Sequence, residues 1–169
     1  MATYVKIQTV TVGVGGASTI DFTSIPSTYT DLQILCSLKT NYSGGQWSQV
    51  SLRFNGSSTS YSIRNIYGNG SSASSGTDVT TTGGFATTGG TGGTSIFASN
   101  SIYIPNYTSS NFKSYSVESA PEMNNALALM QFGAGIWSDT AAINAVSLVD
   151  VNGSFVQHST ATLYGIKSS

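Results

Sequence analysis

The tightest constraint on this chain is a two-residue alternation of apolar and polar side chains, repeated in short runs. Successive side chains of a strand point to opposite faces, so this period belongs to sheets with one buried face. Residues 31–39 show it most clearly. Leu32, Ile34, Cys36 and Leu38 fall on one face, with Gln33, Ser37 and Lys39 on the other. Leu35 breaks the pattern and calls for a covering loop or a neighbour. Residues 49–55 repeat it, with Val50, Leu52 and Phe54 opposite Ser51 and Arg53.

Weaker runs lie at 3–12 (TYVKIQTVTV), 18–22, 61–66, 101–104, 112–120, 126–137, 143–151 and 160–167. Gly133 and Gly135 within 126–137 suggest a bulge or a bend. The overlapping stretch 121–130, PEMNNALALM, has helix propensity, and a short helix is the alternative there. Asn55-Gly56 and Asn152-Gly153 are turn signals. Nine to eleven short strands without a long helix predict an all-β fold. The expected architecture is an antiparallel β-sandwich, jelly-roll-like, in a single domain over 1–169.

Composition narrows the function classes. The chain has 169 residues, a formal net charge of -1 and 8% charged residues. Soluble domains usually carry about one-quarter. Ser and Thr supply roughly thirty per cent of the chain instead. There is no basic stripe for neutralising phosphates, so nucleic acid is not an expected partner. No apolar run approaches the roughly 20 residues of a membrane span, so membrane insertion is not expected. Residues 1–6 lack the apolar segment of a secretory signal, which points to synthesis in a cytoplasm.

Segment 68–95 reads GNGSSASSGTDVTTTGGFATTGGTGGTS. The expectation is a long Gly/Ser/Thr-rich loop or arm. A structureless loop of that length is uncommon in a compact domain. An assembly partner is the simplest thing to hold it.

Little in the chain suggests catalysis or a cofactor. His158 is the sole histidine, and no nucleophile elbow surrounds a serine. Cys36, the sole cysteine, lies on an apolar strand face and reads as a buried inert thiol. The seven carboxylates show no spacing that selects a catalytic pair. Asp150-Val151-Asn152-Gly153 shares part of a calcium loop but lacks its closing glutamate, and a turn is the plainer reading. No phosphate-binding glycine loop occurs. The expectation is a non-enzyme without metal or cofactor.

The order of several segments resembles virion structural proteins of tailed bacteriophages, especially phages of aquatic bacteria. The residues are 15–32 (GGASTIDFTSIPSTYTDL), Phe54-Asn55-Gly56, Ile104-Pro105-Asn106-Tyr107, 137–143 (WSDTAAI) and 160–166 (TATLYGI). The resemblance implies a β-sandwich that decorates a capsid or forms part of a head or tail fibre, located in the virion. It implies no active site.

The leading expectation is therefore a capsid decoration or cement protein that stabilises capsomer contacts. Its expected partners are copies of itself, as a homotrimer, and the major capsid protein or another virion protein. The 3–12 strand and the glycine-rich arm are the segments expected to reach a neighbour, with Tyr4, Val5, Ile7, Val79, Phe85 and Ile96 at the contact. The alternative is a fibre-tip domain binding host surface glycan through a stacking platform of Tyr42, Trp47, Tyr61 and Tyr67.

Overall fold

The computed structural model describes residues 2–78, 83–124 and 129–167. It is all-β. Its strands are β1 (Thr3–Thr11), β2 (Thr19–Phe22), β3 (Asp31–Leu38), β4 (Trp47–Phe54), β5 (Tyr61–Gly68) and β6 (Ala73–Asp78). They continue with β7 (Gly83–Thr88), β8 (Ala98–Ile104), β9 (Lys113–Ala120), β10 (Met130–Trp137), β11 (Val146–Asp150) and β12 (Thr160–Lys167). An eight-stranded sheet runs β1-β12-β3-β8-β9-β10-β5-β6, and a four-stranded sheet runs β2-β11-β4-β7. Every pairing within the two sheets is antiparallel. The two sheets form an uneven sandwich.

The sequence alternation becomes the inner faces. Leu32, Ile34 and Leu38 of β3, Ile102 and Ile104 of β8, and Val117 of β9 meet Val50, Leu52 and Phe54 of β4 and Val146 and Leu148 of β11. At one end Phe54 packs edge-on against Tyr115 (ring centroids 5.6 Å apart) and Trp137 (5.6 Å), and Trp137 stacks on Tyr61 (6.2 Å). Cys36 lies in this core, and burial pushes its thiol pKa far up.

Two expectations are corrected. Segment 68–95 is not one loop: its described residues supply β6, β7 and a 3-10 turn at Gly90–Gly92. Glycine has low strand propensity, but two sheets supply the partners that override it. Gly133 and Gly135 make no bulge, since β10 keeps continuous register with β5 and β9. They face inward and leave room for neighbours. A Cβ at Gly135 would lie 2.1 Å from the Tyr115 ring, and one at Gly133 would lie 2.6 Å from Asn65 Oδ1. The register shift occurs instead in β1, between Lys6 and Gln8. Asn55-Gly56 turns as expected (φ 52° and 75°) and carries the chain from the small sheet to the large one. In the 121–130 stretch, 121–124 are not helical, and 125–128 lie outside the described residues.

The inward glycines generate a test. Gly135→Ala forces its methyl into Tyr115, so the chain should lose about 1–3 kcal/mol of stability in denaturant unfolding. The outward neighbour Ala134 faces solvent. Ala134→Ser should stay within about 0.5 kcal/mol. Equal effects at the two positions would contradict the inward packing.

The tyrosines set an alkaline limit. Burial pushes the Tyr61 phenol up to about 12, partly offset by the Phe54 N–H that it accepts at 2.6 Å. Burial, then its hydrogen bond to Asp31, pushes Tyr103 up to about 12. Both phenols hold their proton more tightly in the folded chain than at the ordinary value of 10.0. Their contribution to stability is complete below pH 10 and is lost as pH rises through 12. Thermal unfolding followed with tyrosinate absorbance should show a midpoint that falls across that window; a rising midpoint there would refute it.

Candidate functional site

Two surfaces stand out. The first is the outer face of the eight-stranded sheet. One register row crosses all eight strands: Ser75, Ile66, Phe132, Glu118, Ser101, Leu35, Thr162 and Thr9. Beside Phe132 and Ile66, Met130 and Ile136 also point outward from β10, and all four are large, exposed and apolar. Leu35 is exposed too, so among the described residues nothing covers the side chain that broke the β3 pattern. The row is otherwise hydroxyl-rich, with Thr9 and Thr162 sharing a hydrogen bond at 3.0 Å. Arg64 and Glu118 are the charged residues flanking the apolar group.

The second surface is a cleft of about 360 Å³. It lies where the β5–β6 hairpin of the large sheet passes the β4–β7 edge of the small one. Trp47 and Gln49 of β4, Tyr67 of β5, and Asn69 and Ser72 of the hairpin turn line it, with Gln131 behind. A smaller hollow of about 220 Å³ is lined by Tyr42, Gly44, Gly45, Asn152 and again Trp47 and Gln49. Trp47 therefore borders both.

The walls are built by specific contacts. Trp47 opens β4 opposite Thr88, and the Gly89 N–H donates to Gln46 O at 2.7 Å, so its backbone is pinned. The Tyr42 ring closes on Gly44, where an added Cβ would meet the phenol oxygen at 2.4 Å. In the β5–β6 turn, Asn69 Oδ1 accepts the Ser71 and Ser72 N–H groups at 3.1 and 2.8 Å, and Gly70 takes φ 85°.

The cleft floor depends on β7, the edge strand of the small sheet. Its open side is hydrogen-bonded by side chains of the facing sheet. Gln131 Oε1 accepts the Ala86 N–H at 2.7 Å, while Gln131 Nε2 donates to Asn65 Oδ1 at 2.8 Å. Asn100 Nδ2 donates to Ala86 O at 3.0 Å and to Ser119 Oγ at 2.9 Å, and Ser119 Oγ donates to the same carbonyl. These four polar residues are buried.

The expected contact residues divide. Tyr4 is exposed on the β1 edge, whereas Val5 and Ile7 are half-buried, Ile7 against the core. Val79 lies outside the described residues. Phe85 is fully buried, paired with Val50 in the core, so it is corrected from contact to packing residue. Ile96 is half-buried against Gly93. Of the proposed stacking residues, Tyr42, Trp47 and Tyr67 share the two hollows. Tyr61 does not join them: it is buried under Trp137, because its inward β5 position faces the core. Gln49, Asn69 and Gln131 were not read from sequence. They are isolated amides in polar stretches, and only sheet pairing gathers them.

His158 is exposed with φ 74°, its N–H on Val12 O at 3.0 Å. Asp150 is buried, accepting Ser48 Oγ at 3.0 Å. Among the described residues no three His, Cys, Asp or Glu side chains gather to hold a metal ion. No protein-family model, curated protein or solved structure matches the chain.

The floor is testable. Gln131→Leu leaves the Ala86 N–H and Asn65 Oδ1 buried without this partner, so stability should fall by about 1–3 kcal/mol. Denaturant unfolding with amide exchange should show Ala86 exchanging faster. Unchanged exchange would mean that β7 is held by other contacts.

Proposed function

We propose that this chain is a structural protein of a tailed-phage virion, acting as a decoration protein on the capsid exterior. The observation that carries the reading is the outer face of the large sheet. Ile66, Met130, Phe132 and Ile136 are exposed although the sandwich already has a full core between its layers. Contiguous apolar patches on soluble chains often mark contact surfaces. The phage-like segments and the β-sandwich support the same reading.

The action is passive. The face lies on the major capsid protein and adds buried area across capsomer joints, at roughly 25 cal/mol per Å² of apolar surface. Part of that gain offsets the cost of association. Trimerisation through the β1 edge, with Tyr4 at the contact, belongs to the same proposal. The Lys6–Gln8 irregularity limits open-ended edge pairing. A head- or tail-fibre tip domain is the second reading, favoured by the cleft around Trp47.

Capsids stripped of this protein provide the test, by co-sedimentation. The double variant Ile66→Ser, Phe132→Ser should bind at least about tenfold more weakly, which is about 1.4 kcal/mol. It should keep the wild-type circular dichroism, because both side chains face solvent. Binding of the wild type should change little with salt, since the face is mostly uncharged. Undiminished occupancy by the double variant would overturn the proposed surface.

A further inference from the structure

The geometry points to a binding site for a neutral oligosaccharide in the paired hollows on either side of Trp47. The inference goes beyond the decoration role, uses a different surface, and rests on and deepens the second reading of the cleft around Trp47 by naming the ligand's chemical class. Four observations carry it.

First, Trp47 is 51% exposed although its backbone is fixed at the start of a paired strand. A large, half-exposed ring on a fixed backbone gives a stacking surface with a small ordering cost on binding. Tyr67 adds a second ring in the larger hollow, and Tyr42 one in the smaller. Each hollow thus pairs the shared indole with a phenol ring, which suits the apolar C–H face of a sugar.

Second, among the described residues the lining of both hollows carries no charged side chain. A phosphate, sulfate or carboxylate ligand would enter without a cation to meet it. Amides and hydroxyls supply donors and acceptors together, as Gln49, Asn69, Ser72 and Ser74 do in the larger hollow and Ser48 and Asn152 in the smaller. That mixture matches sugar hydroxyls, which also donate and accept.

Third, the larger hollow, at about 360 Å³, falls in the size range of small-molecule sites. The two hollows share Trp47 and Gln49. A ligand that fills both must run past the indole, so it is a chain of at least two linked sugars and not a monosaccharide.

Fourth, the site is preformed. Asn69 organises the hairpin turn, Gln131 holds the floor, and Gly84 admits the Gln49 amide: a Cβ at Gly84 would lie 2.3 Å from Gln49 Nε2. Aromatic rings on a rigid frame lose little freedom when a ligand arrives.

The experiment uses the full chain on an array of neutral cello-, malto- and chito-oligosaccharides, with sialylated and uronate-containing oligosaccharides as the anionic arm. Hits are titrated by tryptophan fluorescence and calorimetry. Saturable binding to a neutral oligosaccharide is expected, at least about tenfold tighter than to its monosaccharide and insensitive to salt. Trp47→Ala should abolish it, and Tyr67→Ala should weaken it about tenfold or more. Phe112→Ala, at an exposed ring remote from the hollows, should leave affinity unchanged. Circular dichroism controls for folding of each variant.

Absence of saturable neutral binding, binding only in the anionic arm, or full affinity in folded Trp47→Ala would each overturn the inference. The site's failure is distinguishable from that of the decoration reading. Trp47→Ala should keep wild-type capsid occupancy, and the Ile66→Ser, Phe132→Ser variant should keep wild-type saccharide affinity.

Discussion

The structure turns on how a four-stranded layer closes against an eight-stranded one. The small sheet ends at β7, whose open edge would bury unpaired peptide groups in the interior. Each such group, left unsatisfied, costs about 1–3 kcal/mol. Here amide and hydroxyl side chains stand in for the missing strand: Gln131 takes the Ala86 N–H, and Asn100 and Ser119 share its carbonyl. On the next stretch the Thr40 N–H donates to Thr88 O at 2.9 Å, and Thr87 Oγ1 donates to Leu38 O at 3.0 Å. With that edge satisfied, β7 seals the core, supports Trp47 across the ladder and forms one wall of the cleft.

The same chemistry recurs across the molecule. Where other proteins use ion pairs, this chain uses neutral hydroxyls and amides. Asn55 ties the Asn144 and Ala145 N–H groups at 2.9 and 3.2 Å, and the Ser159 hydroxyl donates to Lys39 O at 3.0 Å. Such contacts do not weaken with salt as exposed ion pairs do. The two buried lysines are exceptions that fit the pattern. Burial lowers the pKa of both, and each ammonium donates to a backbone carbonyl, Lys39 to Gly93 and Lys113 to Asn111. Low charge thus leaves two kinds of surface for contact: an apolar sheet face and a neutral cleft.

Much of the fold was legible in the residues because burial of one face imposes a period of two. Every run read as a strand has its counterpart, and the inward sets of β3 and β4 are those expected. Two strands were missed. β6 and β7 lie in a stretch dominated by Gly, Ser and Thr, a composition that resembles a linker, and partners on adjacent strands make them extended. The glycines of β10 misled for a related reason. A missing Cβ reads as a bend in isolation, but here it makes room for Tyr115. At the candidate site, Trp47 and Tyr42 were readable as aromatics in a loop-like segment, whereas Tyr61 could not be separated from them without knowing which way β5 faces.

The sequence by itself determined that the chain is all-β, low in charge and provided with apolar faces, because alternation and composition are local properties. Tertiary structure decided the division into eight and four strands, the inward or outward direction of Phe85, Tyr61 and Trp47, and the gathering of Gln49, Asn69 and Gln131 beside one indole. These depend on which strands pair across long separations and in what register. A shift of one residue would exchange core for surface along a whole strand.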